Sequence, residues 1–420
     1  MSHSSFRILH TSDWHLGNSL HEHSRIAEYR QFLSWLKKTI EENEVDALLV
    51  SGDIFDTGTP SKAAEELYYS FLTSLNGTCC KNVVVTAGNH DSPATLNSAR
   101  SVLELLNIHV VATPDAENGF SNEIIPLPSR ENPRLIVCAA PYLRDPALQA
   151  SLSNEKCATE EEFVREGTKA HFEKLKSAAL ALREKFGGTL PIVAMAHLFA
   201  AGASPSENAD DSEYAIVGNL ENVNSNVFPP VFDYVALGHI HRPQKVGGES
   251  RIRYSGSPLP MGFDEANRES VVLIVDFEDG KAPEVRPVGV PRFQKLLTIS
   301  GNDLSEIRKG MESANREFPG AWVRVRFTGI GNVGNLRQNL ANDFEDSSLV
   351  LLQAEYVGRV DGSAGVSTEK PLSEFSPTEV FDRYLESSGF GKNDHTDLKV
   401  RVEAAFREIL KEVQEGKIEE

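Results

Sequence analysis

The stretch RILHTSDWHLG, residues 7 to 17, carries two side chains with metal-binding chemistry directly after a short apolar run. Asp13 and His15 stand two positions apart, so in an extended segment they point to the same side, and just past a strand they can converge on one point. A carboxylate and an imidazole at this spacing predict that the pair grips one ligand together. Taken alone, the pair also fits an Asp that caps a turn beside a surface His, so the rest of the chain must decide.

Four further apolar runs end in side chains of the same chemical kind. They deliver Asp53 in GDIFD, Asn89, His90 and Asp91 in GNHD, His197 in AMAH, and His239 and His241 in GHIH. Two carboxylates, one amide oxygen and four imidazoles form a ligand set without thiolate that suits Mn²⁺, Fe²⁺ or Zn²⁺. Two such ions, about 3.5–4 Å apart, can clamp a phosphate oxygen and acidify a bridging water. The sequence therefore predicts a two-metal centre.

Each of these motifs also has an ordinary structural explanation. A Gly–Asp pair after a strand is a common turn, His197 lies in an apolar run as a core histidine would, and either His of GHIH could be a buried, hydrogen-bonded residue. Their recurrence in one chain, each time directly after an apolar run, favours a shared functional cause.

The elements that must position these residues follow from hydrophobic periodicity. Between the first three apolar runs lie the segments IAEYRQFLSWLKKTIEEN and SKAAEELYYSFLTSL, where apolar residues recur at three- and four-residue spacing. This strand–helix–strand alternation predicts an α/β fold in which functional loops follow the carboxyl ends of buried strands. The polar clusters stand where such a fold builds its site.

Composition breaks divide the chain into three parts. We expect a first domain over residues 1–277, closed by the strand-like ESVVLIVDF, and a boundary in the Gly- and Pro-rich EDGKAPEVRPVGVP. Residues 290–362 then read strand, helix, strand, helix, strand, which predicts a small α+β domain. After the polar DGSAGVSTEKPL, the tail 374–418 is predicted to form two helices, 377–388 and 397–415.

Length and composition set further bounds. With 420 residues, 40% apolar and 25% charged, the chain is long enough for two or three domains. No signal-like apolar core occupies the first thirty residues, the longest low-polarity run is too short to span a bilayer, and the four cysteines form no C-x-x-C pair. These features favour a cytoplasmic protein with no membrane partner. The net charge of −19 opposes nucleic-acid binding, unless bound cations or a partner subunit reverse the local potential.

The motifs DWH, GDIFD, GNHD, AMAH and GHIH resemble the five signature blocks of the calcineurin-like metallophosphoesterases. Within that superfamily, TSDWHLG, AGNHDSPATLNSAR, GHIHRPQ and YSGSP resemble the SbcD family of bacterial nuclease subunits, whose partner is the SMC-like ATPase SbcC. The resemblance covers residue 7 to about 277 with specific motifs. It implies a four-layer α/β/β/α metallophosphoesterase domain, followed by a small α+β domain that caps DNA and a helical tail that binds the partner.

The resemblance also implies residue roles. Asp13, His15 and His241 would hold one metal, Asn89, His197 and His239 the other, and Asp53 would bridge both, with Mn²⁺ as the first candidate. His90 would act on the transition state and Asp91 would orient it. Three residues past the bridging Asp, archaeal and eukaryotic relatives often carry a second catalytic His, whereas this chain has Asp56.

The activity implied is a metal-dependent DNA phosphodiesterase that acts on double-stranded ends as an exonuclease and on hairpins or single strands as an endonuclease. It would serve DNA repair, recombination and replication in a complex with SbcC, as a heterotetramer with two copies of each chain, built on a homodimer of this subunit. Two alternatives stay open: a small-substrate phosphodiesterase or phosphatase of the same fold, and a non-catalytic binding scaffold.

The tail carries its own prediction. In the second tail helix, apolar residues recur at three- and four-residue steps on an otherwise charged helix. Such a stripe either packs on this chain's own domains or docks in a groove of a partner. We expect docking on the ATPase, with Phe406 and Ile409 as the anchors.

Overall fold

The computed structural model describes residues 5–152, 157–201, 223–329 and 336–357, together with Phe381 and Phe406. The chain divides into two compact units, one formed by Met1–Gly329 and Val333–Val357, the other by Ile330–Asn332 and Gly358–Glu420. The fold below is that of the first unit. No helix within the described residues has both the length and the apolar character needed to cross a membrane.

The strands of the described residues are β1 (Ser5–Thr11), β2 (Ser19–Leu20), β3 (His23–Ser24), β4 (Ala47–Ser51), β5 (Asn82–Thr86), β6 (Ile108–Val111), β7 (Ile124–Leu127), β8 (Leu135–Ala139), β9 (Ile192–His197), β10 (Ala200–Ala201), β11 (Val223–Asn224), β12 (Tyr234–Gly238), β13 (Gln244–Val246), β14 (Glu249–Tyr254), β15 (Val271–Glu278), β16 (Glu284–Gly289), β17 (Leu296–Gly301), β18 (Trp322–Phe327) and β19 (Val350–Tyr356). The α-helices are α1 (Ile26–Glu42), α2 (Lys62–Ser74), α3 (Pro93–Asn97), α4 (Arg100–Glu104), α5 (Asp145–Leu152), α6 (Glu160–Lys185), α7 (Leu304–Glu317) and α8 (Leu336–Asp343).

Two mixed six-stranded sheets form the centre of this unit. The first sheet has the order β16-β15-β1-β4-β5-β6, and the second has the order β13-β14-β12-β9-β8-β7. In the first, β1, β4, β5 and β6 run parallel; in the second, β8, β9, β12 and β14 do. The sequences of β4 and β5, ALLVS and NVVVT, are apolar runs in which every residue is buried, because both faces of these strands are covered.

Three apolar clusters define the layers. One lies between the sheets and joins residues such as Ile8 and Val84 of the first to Val137 and Met195 of the second. A second packs the outer face of the first sheet against α1 and α2, and a third packs the outer face of the second sheet against α6. The α/β fold class predicted from the sequence is therefore confirmed, with helices outside two packed sheets.

Local signals explain where the long helices begin. The Ser61 hydroxyl accepts a hydrogen bond from the Ala64 amide at the start of α2, and Thr159 does the same for Glu162 at the start of α6. The Glu162 carboxylate in turn accepts from the Ala158 amide. Side chains thus satisfy amide groups that a helix start leaves without an internal partner.

The first sheet continues past Phe277, the residue at which the first domain is predicted to close. Strand β16 pairs antiparallel with β15 over Glu284–Gly289, so the sheet runs through the segment that the sequence predicts to hold the boundary. Pro287 did not prevent pairing, because β16 is an edge strand, where a residue without an N–H is tolerated. The Gly- and Pro-rich composition therefore marked an edge strand, and the chain leaves the first sheet only after Gly289.

The predicted alternation of elements in the small α+β region matches the structure. Strands β17, β18 and β19 form a parallel sheet, and α7 and α8 share one apolar cluster with it. On its other side, Trp322 and Leu296 cluster with Leu20 and Phe263 of the first domain. The limits 290–362, and the division into domains as a whole, remain predictions.

The predicted tail helices 377–388 and 397–415 lie outside the described residues, except at two positions. The rings of Phe381 and Phe406 stack in parallel with centroids 3.8 Å apart. Phe406, one predicted anchor for a partner, thus contacts an aromatic residue of the same tail. Ile409, the other predicted anchor, lies outside the described residues.

Candidate metal centre

Five strand ends from both sheets deliver the predicted ligands to one place. The loops after β1, β4 and β5 carry the residues contributed by the first sheet, and the end of β9 and the loop after β12 carry those of the second. Asp13, His15, Asp53 and His197 are each at most 2% exposed. The structure therefore brings together side chains that lie far apart in the sequence, such as His15 and His241, which are separated by 226 positions.

The first group consists of Asp13, His15 and His241, whose ligand atoms lie within 4.8 Å of one another. The Nε2 atoms of His15 and His241 face each other at 3.2 Å. The Asp13 Oδ1 atom accepts a hydrogen bond from the His239 amide at 2.8 Å, which fixes the carboxylate relative to the second sheet.

The second group consists of Asp53, His197 and His239, again with ligand atoms within 4.8 Å. The side-chain oxygen of Asn89 joins it, at 3.0 Å from His197 Nε2 and 3.1 Å from His239 Nδ1. Two imidazole nitrogens thus converge with the side-chain oxygens of Asn89 and Asp53.

Asp53 approaches both groups. Its Oδ2 atom lies 3.2 Å from His197 Nε2 in the second group and 3.6 Å from His15 Nε2 in the first. Its Oδ1 atom accepts a hydrogen bond from the His90 amide at 3.1 Å. One carboxylate therefore lies between the two sets of imidazoles.

The backbone at these positions is held in an uncommon conformation. Asp13, His15 and Asp53 have φ values of 52°, 47° and 50°, and His239 has a φ of 101°. Positive φ is uncommon for residues other than glycine, and such conformations persist where the surrounding structure imposes them, often at functional sites. The turns after β1, β4 and β12 are thus shaped to aim these side chains inward.

Gly88, the first residue of GNHD, is required by the close approach of two loops. A Cβ atom at this position would lie 2.0 Å from Asp53 Oδ1 and 2.3 Å from the Asp53 amide nitrogen. Only a residue without a side chain permits the loop after β5 to approach the Asp53 carboxylate so closely.

The charges at the centre depend on one another. Burial disfavours ionisation, but the charge of His197 and its hydrogen bond hold the pKa of the Asp53 carboxyl well below its usual range. Burial likewise opposes charge on His197, yet Asp53 raises the pKa of His197 to about 9. Burial and the charge of His197 lower the pKa of His239 to about 3. The ionised Asp53 carboxylate therefore lies close to the protonated His197 and the neutral His239. A metal cation that binds here would displace the proton from His197.

The donor set fits two divalent ions. Imidazole nitrogens and carboxylate or amide oxygens converge within ligand-to-ligand distances in two groups that share Asp53, and such ligands suit Mn²⁺, Fe²⁺ or Zn²⁺. The facing ring nitrogens of His15 and His241 add to this fit, since two neutral imidazoles can both direct a lone pair at a cation between them.

Main-chain amides hold the Asp91 carboxylate in place. Its carboxylate is 1% exposed and accepts hydrogen bonds from three backbone amides, those of Ile54, Phe55 and Gly88, at 3.1, 3.0 and 2.7 Å. The carboxylate therefore ties the loop after β4 to the loop after β5. That Asp91 also orients His90 stays a prediction.

His90 is oriented by the main chain of Asp56. Its Nδ1 atom donates to the Asp56 carbonyl oxygen at 2.8 Å, and its ring lies edge-on to that of His15, with centroids 5.0 Å apart. The Asp56 carboxylate lies 3.5 Å from His15 Nδ1. Asp56 thus supports two imidazoles of the centre, His90 through its carbonyl oxygen and His15 through its carboxylate.

Sequence reasoning missed two hydroxyl groups behind Asp13. The Ser12 hydroxyl donates to Asp13 Oδ2 at 2.5 Å and lies 2.8 Å from the Ser255 hydroxyl. All three residues are fully buried. The signal was present, since Ser12 adjoins Asp13 and Ser255 belongs to YSGSP, but the pairing spans 243 positions and required the fold.

The two packed sheets and the shared-carboxylate centre define a phosphoesterase, and comparison with known families agrees. The family model described as calcineurin-like phosphoesterase matches residues 6–243, so the chain belongs to the calcineurin-like phosphoesterase family. A second family model, described as the C-terminal domain of type 5 capsule protein repressor, matches residues 292–388.

Curated relatives narrow the family further. The chain is 36% identical over 383 residues to the SbcD component of the SbcCD nuclease of Escherichia coli strain K12, covering 90% of this chain and 92% of the relative. It is 36% identical to the protein of the same name from Rhodobacter capsulatus, covering 74% and 75%, and 33% identical to that of Bacillus subtilis, covering 76% and 78%. Within the calcineurin-like phosphoesterases, the chain is a member of the SbcD family.

Proposed function

We propose that this chain is the nuclease subunit of an SbcC–SbcD complex and hydrolyses phosphodiester bonds of DNA in a metal-dependent reaction. The carrying observation is the position of Asp53, whose Oδ2 atom lies 3.6 Å or less from an imidazole of each ligand group. A single carboxylate between two sets of donors is the arrangement that a dinuclear phosphodiesterase needs. The names of the relatives support nuclease activity.

In this proposal, Asp13, His15 and His241 hold one ion, Asn89, His197 and His239 hold the other, and Asp53 serves both. We propose Mn²⁺ as the ion, since these oxygen and nitrogen donors include no thiolate. When bound, the two ions supply positive charge for the phosphate oxygens and acidify a water. Ser12 and Ser255 keep Asp13 oriented toward the first ion.

His90 is the residue that we assign to proton transfer. Because Nδ1–H is donated to the Asp56 carbonyl oxygen, the ring is held in one orientation and Nε2 is the atom that gives a proton to the leaving oxygen or stabilises its charge. Asp91 contributes by fixing the loops that carry Asp53 and His90, not by contacting substrate.

An exposed apolar surface supports the proposal of a homodimer. Val102 lies in α4 and Leu105 follows it, and their side chains are 62% and 82% exposed. Exposed apolar side chains that lie together are typical of interaction sites. We propose that a second copy of this chain covers them, giving a homodimer that binds two SbcC chains. The acidic charge of −19 makes the complex, rather than the isolated chain, the main DNA-binding species, and we place that complex in the cytoplasm.

The proposal is tested by incubating a labelled DNA hairpin with the purified chain and Mn²⁺, with and without SbcC and ATP. We expect cleavage that requires the metal, increases with SbcC and is lost in the Asp53→Ala variant. Hydrolysis of small phosphodiesters without cleavage of any DNA, even with SbcC, would instead indicate a small-substrate phosphodiesterase.

A further inference from the structure

A cavity of about 320 Å³ opens beside the metal centre. Its lining includes His197 of the second ligand group, the segment from Ala140 to Pro146, and side chains of α5 and α6 such as Leu148 and Phe172. The volume lies within the range of small-molecule sites, about 300–1,000 Å³. The cavity therefore adjoins the reacting centre and is large enough to accept part of a substrate.

Arg144 lines this cavity, and among the described residues only its Nη2 atom forms hydrogen bonds. Its Nη2 atom donates to the carbonyl oxygens of Asn89 and Asp91, both at 3.3 Å. Among the described residues no carboxylate forms an ion pair with it, although acidic residues outnumber basic ones in the chain by 61 to 42. An exposed guanidinium held at the GNHD loop in this way is suited to bind a phosphate, since its fork of N–H groups matches phosphate oxygens.

Tyr142 links this arginine to the metal centre. The Arg144 guanidinium carbon lies 5.7 Å from the centroid of the Tyr142 ring, and that ring stands edge-on to His197 with centroids 6.4 Å apart. The Tyr142 amide donates to the Ala87 carbonyl oxygen at 2.8 Å, just before the GNHD loop. The position of the arginine relative to the ligands is therefore fixed by the fold.

The cavity is lined by both apolar and polar side chains, a combination that suits a nucleobase. Leu143, Leu148, Val164 and Leu198 offer apolar surface, and Thr168 and Asp145 offer polar groups for the edge of a base. Binding of single-stranded nucleic acid commonly combines a cation for the backbone with an aromatic or apolar surface for the base. A free phosphate would use Arg144 but would have no need of the cavity.

We propose that Arg144 and the adjoining cavity form a binding site for the nucleotide next to the scissile phosphate, with its phosphate on Arg144 and its base in the cavity. This inference rests on the proposed nuclease function and names the part of the substrate that the site accepts beyond the reacting bond. Arg144 is then a positioning residue, because it holds the substrate and touches no reacting atom.

The test compares two substrates, a single-stranded tetranucleotide and methyl p-nitrophenyl phosphate, a diester with neither a second phosphate nor a base. Loss of a charge-assisted hydrogen bond weakens binding by roughly 10- to 150-fold, so Arg144→Ala should raise KM for the tetranucleotide by that factor. The ratio of kcat/KM for the tetranucleotide to that for the small diester should fall by about tenfold or more. Arg144→Lys should recover part of the loss, because it restores the charge without the fork.

Arg130→Ala is the matched control. Arg130 is an exposed arginine that lines a second cavity of about 310 Å³, whose lining contains no residue of the metal centre. Its loss should leave the ratio unchanged. Val164 lies on α6 and lines the cavity, so Val164→Trp should fill the proposed base site. This variant should raise KM for the tetranucleotide and leave the metal content at two ions per chain.

The outcomes separate the two proposals. A wild-type chain that hydrolyses the small diester but cleaves no DNA, even with SbcC, would refute the nuclease function. DNA cleavage with an unchanged ratio in Arg144→Ala and Val164→Trp would refute only the nucleotide site. If Arg144→Ala loses metal, or loses both activities equally, Arg144 anchors the loop and the nucleotide site is refuted as well.

Discussion

Replacing Gly88 by alanine should damage the metal centre without adding any polar or charged group. A Cβ atom would lie 2.3 Å from the Asp53 amide nitrogen and 2.0 Å from its Oδ1 atom, whereas ordinary contacts begin near 3.4 Å. The loops after β4 and β5 must therefore separate by about 1 Å. The conflict is purely steric, since Gly88 has no left-handed φ that an alanine would strain.

A displacement of this size moves Asp53, whose carboxylate lies between the two ligand groups. Misplacement by about 1 Å typically lowers turnover about 10²-fold, and overpacking in a tight interior lowers the free energy of unfolding by about 1–3 kcal/mol. We expect Gly88→Ala to bind fewer than two metals per chain, measured by mass spectrometry after dialysis. Its kcat/KM for a small phosphodiester should fall about 10²-fold.

Gly289→Ala is the control, because a Cβ atom at that position would have no atom within 4 Å. It should retain both metals and full hydrolysis. Circular dichroism shows whether each variant is folded. A folded Gly88→Ala chain that keeps two metals and hydrolyses the diester within threefold of wild type would refute the argument that this close approach positions Asp53.

Four further predictions concern the proposed roles. His90→Ala should keep two metals and lose about 10²–10⁴-fold in hydrolysis, whereas Asp53→Ala should lose its metals; an active His90→Ala, or one without metal, contradicts the assignment. Asp91→Ala should lower the free energy of unfolding by at least about 3 kcal/mol, because three buried amides lose their acceptor, with urea denaturation as the measurement and Asp91→Asn as the milder control. Leu105→Glu should convert a dimer into a monomer in light scattering, and an unchanged mass would place the dimer contact elsewhere. Deletion of the residues after Val366 should leave a metal-loaded phosphodiesterase that no longer co-purifies with SbcC; unfolding, or retained binding, would assign the tail to the core.

The sequence predicted which residues meet because the argument needed only their position after apolar runs. Carboxyl ends of parallel strands lie at one edge of a sheet, so D-x-H, GD and GNHD had to approach each other once the strands were recognised. The same argument could not place His197 and the two histidines of GHIH at the site, because they belong to the second sheet. Only their joint occurrence and the family resemblance placed them with the others.

The other features of the site depend on contacts between distant parts of the chain, which leave no local pattern in the sequence. Asp91 looked like a partner for its neighbour His90, yet its carboxylate binds amides on two loops, a role decided by how closely those loops pack. Ser255 meets Ser12 across 243 positions. The Gly and Pro residues around β16 predicted a domain boundary. An exposed edge strand tolerates the same residues, so composition alone could not distinguish the two. In each case tertiary packing, rather than the type of the residue, determined the role.

The division of the ligands between two sheets has a thermodynamic consequence. Each ligand group contains residues from both sheets, Asp13 and His15 with His241, and Asp53 with His197 and His239. An ion held by such a group therefore cross-links the two packed sheets. Any ligand that binds only the folded state adds to its stability by mass action, so metal availability and the docking of the two sheets are linked equilibria. A shortage of metal would then lower the stability of the folded chain as well as its rate of hydrolysis.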